Sequence, residues 1–94
     1  MNAAQKMVKD FHRTFNIVDN PIPTDVTEPT KNLRINLIQE EFDEVKEAMA
    51  NKDLPNLAKE IADLLYVVYG AAVAYGIDME PVFAEVHNSN MSMP

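Results

Sequence analysis

Between Leu37 and Asp63 the chain reads LIQEEFDEVKEAMANKDLPNLAKEIAD, and two of its carboxylates fall where a helical core would place leucines. On a helix turning 100° per residue, Leu37 and Val45 lie about 40° to either side of Glu41, with Ile38 about 60° away. Around Glu60 the same projection puts Leu64 about 40° and Leu57 about 60° to one side, with Val67 and Ala71 within about 20°. Glu44 and Asp63 follow at i+3 on the same faces, and Glu40 sits at the margin of the first. Asp43 and Glu47 point away and fit an ordinary solvated face. An unpaired carboxylate taken out of water is costly enough that it must be neutralised, ion-paired or metal-bound. Arg34 is the only cation on either apolar face, and one arginine cannot balance four or five acids. An all-oxygen donor set of this kind suits a hard divalent ion, Mg²⁺ or Mn²⁺.

Ninety-four residues suffice for one domain with a marginal core, and residues 1–94 read as a single unit. An apolar content of 47% is that of a globular chain. With no cysteine, disulfides and thiolate metal sites are excluded, and the presence of only two histidines argues against a histidine-rich zinc site. The net charge of −7 argues against a nucleic-acid backbone or an anionic membrane as partner. The longest uncharged run, the 14 residues Leu64 to Ile77, is too short to span a bilayer and fits a buried helix. The opening MNAAQKMVKD is polar, so no secretory leader is expected, and a cytoplasmic location follows.

The pattern predicts an all-α fold. A first helix is expected over Asn2 to Phe15, with Met7, Val8, Phe11 and Phe15 as its stripe and His12 at the edge. Packing in the core is the expectation for Phe11 and Phe15. Pro21, Pro23 and Pro29 make Asn16 to Thr30 a loop of the length of a lid or crossing segment. A second helix is expected to begin between Thr27 and Thr30, with Thr27 as candidate cap, and to end at Ala50 or Asn51, and a third starts at Asp53 and stops at Gly76. The short link Asn51-Lys52-Asp53 implies an antiparallel hairpin. Glu44 and Glu60 lie about seven residues from that link on either side, so at 1.5 Å per residue the two acid pairs share a height. The third helix is apolar nearly all round and needs cover on both sides. One hairpin and a short first helix cannot supply it. The expected architecture is therefore a four-helix-bundle-type domain built on that hairpin and completed by homodimerisation, or by a tetramer made as a dimer of dimers. Tyr66, Tyr69 and Tyr75 would fill the dimer core. A fourth helix starts at Asp78 and runs to about Asn88.

The acidic pattern resembles the signature of the MazG-like, all-α nucleoside triphosphate pyrophosphohydrolases, EExxE followed by ExxD. Here it is Glu40-Glu41-Phe42-Asp43-Glu44, fifteen intervening residues, then Glu60-Ile61-Ala62-Asp63. The segments KMVKDFHRTFN, LYVVYGAAVAYGID and VFAEVHNSNMS are similar to a phage and bacterial branch that includes phosphoribosyl-ATP pyrophosphohydrolase-like proteins. The resemblance implies Mg²⁺-dependent hydrolysis of a (d)NTP to the monophosphate and pyrophosphate, with house-cleaning of the nucleotide pool as the role that fits it. Glu41, Glu44, Glu60 and Asp63 match the family's metal ligands. Glu40 matches the first acid of the signature, either as a further ligand or as the base that orients water. Glu40 and Glu41 are thus the candidate catalytic residues.

Asn90 matches an asparagine that the family associates with the nucleotide site, and it reads equally as a helix-capping residue. Lys59 reads as a phosphate contact or as an exposed helix lysine, and His12 as a substrate contact or a boundary residue without a role. The branch usually carries a lysine where this chain has Met93, a departure that removes a cation from that position. Two other readings follow: phosphoribosyl-ATP hydrolysis, and a non-catalytic helical dimer or adapter.

Overall fold

The computed structural model describes residues 1–94, nearly all of them in helices or the segments that join them. Four helices follow in order, α1 (Ala3–Thr14), α2 (Glu28–Ala50), α3 (Leu54–Tyr75) and α4 (Met79–Met91), and there is no strand. Each start is set by a polar cap that gives an orphan backbone N–H an oxygen acceptor. Asn2 accepts from Gln5 N, Thr27 from Thr30 N, Asp53 from Asn56 N and Asp78 from Glu80 N. Pro29 and Pro55 occupy first turns, where a missing N–H costs nothing. α4 runs three residues beyond the Asn88 expected from sequence, since Asn88, Ser89 and Asn90 go on supplying carbonyls to the chain that follows.

α3 is the central element. It packs against α2 on one side and α1 on the other. Its buried residues include Gly70, Ala72, Val73 and Ala74, with Val8 of α1 and Val45 and Ala48 of α2 completing the apolar interior. The proline-rich segment after α1 is a strap across the end of α3. Asn20 N and Thr24 N donate to the carbonyls of Val73 and Tyr75, and Asn20 Nδ2 donates to that of Ala74. The last carbonyls of a helix have no intrahelical partner, so the strap supplies donors where α3 lacks them.

α1 presents an unexpected face. It buries Gln5, Val8 and His12, at i, i+3 and i+7, and leaves Met7, Phe11 and Phe15 exposed. Gln5 is fully enclosed: its Nε2 donates to Ile77 O, and its Oε1 accepts from Met79 N. The amide thus ties α1 to the turn between α3 and α4. The expectation that Phe11 and Phe15 enter the core is not met within this chain. They pack on each other at 4.8 Å, with Phe11 edge-on to Tyr66. The buried positions opposite on α3 are small, Gly70, Ala72, Val73 and Ala74, and the polar side chains of α1 find partners in the strap and the α3–α4 turn, His12 at Val18 O and Gln5 at Ile77 O and Met79 N.

α4 leaves α3 at a bend of 117° and buries none of its residues. The radius of gyration is 14.8 Å, against about 12.4 Å for a compact domain of this length. No single helix is long and apolar enough to cross a membrane.

α3 ends at Gly76, whose φ of 72° is left-handed, with Gly76 N and Ile77 N donating back to Val73 and Ala72. A Cβ there would run into the carbonyl oxygen of Ile22 and lie 2.8 Å from that of Asn20. Left-handed backbone at a residue with a side chain costs about 1–2 kcal/mol before any clash. Gly76→Ala is therefore expected to lose at least about 2 kcal/mol in chemical denaturation. A change below about 0.5 kcal/mol would contradict this packing of the strap.

Candidate metal centre

Glu41 and Glu44 come from consecutive turns of α2, and Glu60 and Asp63 from the first half of α3. The packing of the two helices brings one carboxylate oxygen from each of the four within 4.8 Å of all the others. Glu60 is 6% exposed, Glu41 and Asp63 are half-buried, and Glu44 is at the surface. Glu41 Oε2 and Glu60 Oε2 are enclosed with no hydrogen-bond partner. Two orphaned carboxylate oxygens in one converging set are what a divalent cation satisfies and what an ordinary acidic surface lacks. The residues present therefore fit such an ion, with oxygen donors only and a donor separation that one or two ions can bridge.

The electrostatics of the cluster point the same way. The Glu60 carboxylate next to Glu44 favours a proton shared between them, and the charges of Glu60 and Glu41 add to that. Together they push Glu44 up to about 7. Lys59 is the one cation in reach, with Nζ 2.9 Å from Asp63 Oδ2 and 3.3 Å from Glu60 Oε1. These two carboxylates, Asp63 foremost, hold the Lys59 ammonium above its ordinary range. One lysine against four acids leaves a net negative site open to solvent. The polar hollow beside it is lined by Glu44, Glu47, Asn51, Asn56, Lys59 and Glu60.

Arg34, the cation that the helical projection put on the acidic face, makes no ion pair. It is buried with Nε unpartnered, and burial lowers its pKa. Its guanidinium lies against α3 at Gly70, where a Cβ would sit 2.6 Å from Nη2 and 3.3 Å from His12 Nε2. His12 is 2% exposed, and its Nδ1 is 2.8 Å from Val18 O, a contact that makes Nδ1 the donor. Interior packing between α1, the strap and α3 accounts for His12, so this arrangement does not bring it to the acidic cluster. Glu40 is exposed next to Glu41. Asn90 is exposed on α4, the helix that buries none of its residues. Gln5, enclosed at the α3–α4 turn, escaped the sequence reading. The available signal was its i, i+3, i+7 spacing with Val8 and His12, which marks one helical face although two of the three residues are polar.

One curated relative, the uncharacterized protein L479 of Acanthamoeba polyphaga mimivirus, is 34% identical over 77 residues. That match takes in 78% of this chain but 31% of the relative, so the chain spans about a third of the protein it resembles. The family model for phosphoribosyl-ATP pyrophosphohydrolase matches residues 8–90, which takes in α2, α3 and all four converging carboxylates. By that match the chain belongs to the phosphoribosyl-ATP pyrophosphohydrolase family.

Proposed function

We propose that this chain is a Mg²⁺-dependent nucleoside triphosphate pyrophosphohydrolase, cleaving a (d)NTP to the (d)NMP and pyrophosphate. The observation that carries the reading is the convergence of Glu41, Glu44, Glu60 and Asp63, with an orphaned oxygen on Glu41 and another on Glu60. Family membership supports a pyrophosphohydrolase in the broad sense. The four acids would hold the metal. Bound there, Mg²⁺ or Mn²⁺ would supply charge neutralisation for the phosphates and a more acidic water. Attack by water forms a bond to the α-phosphorus and breaks the bond from it to the α–β bridging oxygen. Pyrophosphate leaves with that electron pair, and the water's proton passes to a carboxylate. Exposed next to the cluster, Glu40 is the candidate acceptor, and Lys59 the candidate contact to a phosphate oxygen. Asn90 is assigned to the nucleotide on resemblance alone.

The proposed assembly is an antiparallel α2–α3 hairpin completed by a second copy, in the cytoplasm. The family description favours phosphoribosyl-ATP as a second substrate reading. A panel of (d)NTPs and phosphoribosyl-ATP with Mg²⁺, scored for pyrophosphate, decides between them. Release from phosphoribosyl-ATP alone would overturn the first reading, and no release from any of them would favour a binding role.

Glu41→Gln and Glu60→Gln are each expected to lower pyrophosphate release on the order of a hundredfold while leaving helicity intact. Unchanged release in both would refute metal chemistry at this site.

Mg²⁺ at tenfold over its Kd is expected to stabilise the fold by about 1.4 kcal/mol, several degrees in Tm for a domain of this size. A thermal scan in EDTA against Mg²⁺ measures this, and coincident curves would count against a preformed site.

The protonation of Glu44 sets a pH dependence for the metal-free protein. Its folded pKa of about 7 lies above the ordinary 4.5, so between those values the folded state holds more proton than the unfolded chain. Stability is then greatest below the ordinary value and falls as pH rises through the window. Thermal scans in EDTA should show Tm falling from about pH 5.5 to 7.5, with a shallower fall in Glu44→Gln. Equal slopes in the two proteins would place the repulsion elsewhere.

A further inference from the structure

We infer that the assembly proposed above is closed by reciprocal exchange of α4, each copy laying the apolar stripe of its α4 into the groove between α1 and α3 of the other. This rests on the homodimer reading and adds which surfaces make it.

Two unpartnered apolar surfaces of matching kind occur in one chain. The first is the groove, about 270 Å³ in volume, lined only by apolar and tyrosine side chains, among them Met7, Val8, Ala62, Leu65, Tyr66 and Tyr69. The second is α4. Met79, Val82, Phe83 and Val86 recur at i, i+3, i+4 and i+7, which puts them along one helical face. Val82, Phe83 and Val86 are all exposed, Phe83 at 68%. The turn at Gly76 carries α4 away at 117°, so the stripe is held off the rest of its own chain. Only the first turn of α4 is held within the chain, Met79 N by Gln5 Oε1 and Glu80 by the N-terminal ammonium, and the apolar stripe beyond it is left out of balance in water.

The amount of surface left over fits a second copy. The chain exposes 6743 Å². A folded monomer of 10.6 kDa exposes about 5,500 Å², which leaves an excess of about 1,300 Å². A stable interface takes about 800 Å² from each partner, and permanent dimers take more. Charge agrees in sign. α1 carries Lys6, Lys9 and Arg13 against Asp10, although Asp19 answers part of Lys9 and Arg13. α4 carries Glu80 and Glu85 and no lysine or arginine, and the N-terminal ammonium of the same chain answers Glu80, which leaves Glu85 as its unpaired charge. In a chain of net charge −7, α1 is thus a favourable place for an acidic helix to dock. A two-fold axis lets one event bury both surfaces on both copies, which a partner that covers only one of them cannot do.

The absence of cysteine makes the contact directly testable. Met7→Cys and Phe83→Cys are prepared as separate single variants, mixed and oxidised, and resolved on a non-reducing gel. Sedimentation of the unmodified chain is measured alongside. A dimer in solution together with a covalent Met7→Cys–Phe83→Cys heterodimer is the expected result. A dimer in which only Phe83→Cys homodimers form, or in which no cross-link forms, overturns the exchange and leaves the homodimer standing. A monomer overturns both. Because the readout is association, failure here is distinguishable from failure of the proposed hydrolysis. Phe83→Asp provides a second measure. Phe83 touches little in its own chain, so helicity should be retained while the dimer dissociates at least tenfold more readily. An unchanged dimer constant would count against α4 as the contact.

Discussion

Four carboxylates converging between α2 and α3 are the constraint on which the rest of this structure depends. Packing two helices along an apolar seam is favourable in proportion to the surface removed from water, about 25 cal/mol per Å². Placing Glu60 in that seam, with Glu41 half-buried beside it, opposes the packing unless something positive answers them. Lys59 answers only part, through Asp63 and one oxygen of Glu60. Arg34, whose position on α2 suits it for the task, is turned instead toward Gly70 and His12. The helices therefore come together around a site that is under-neutralised by design of its residues, and a residue such as Glu44 holds a proton near neutrality in consequence. The same imbalance is one that a divalent ion held by these oxygens would relieve.

A domain this small tolerates such a centre because the other end of α3 is held by polar contacts rather than by bulk. Gln5 bonds the α3–α4 turn through both ends of its amide, and Asn20 and Thr24 serve the last carbonyls of α3. The apolar interior there is made of valine and alanine, with no phenylalanine or tyrosine among the buried residues. The aromatic residues instead gather on the outside, where Phe11, Phe15 and Tyr66 touch one another. That inversion, polar groups inside α1 and rings outside, makes sense if the outer surface is destined to be covered. The projecting α4 makes the same statement from the other side.

Much of this could be read from residue order. Caps at Asn2, Thr27, Asp53 and Asp78, prolines in first turns and glycine after Tyr75 are local chemistry, so the helix boundaries were legible to within a few residues. The acidic site was legible because two features coincide. Helical angle puts Glu41 and Glu60 among aliphatic neighbours, and the short link equalises the heights of the pairs. Less legible were residues whose environment comes from distant parts of the chain. His12 and Gln5 are buried by contacts with Val18, Ile77 and Met79, none of which periodicity within α1 can reveal.

The sequence by itself determined four helices, a pairing of α2 with α3, and a carboxylate set of oxygen-donor character, because each of these follows from dihedral preference, spacing and chain connectivity. Only the tertiary structure decided which face of α1 is buried, how Arg34 is spent, and how far α4 stands from the other helices. The physical reason is one of competition. A stripe of Met7, Phe11 and Phe15 and a stripe of Gln5, Val8 and His12 are both available on the same helix. The choice between them depends on what lies opposite, which is small side chains and a glycine on α3, and the carbonyls of Val18 and Ile77 in the strap and the α3–α4 turn.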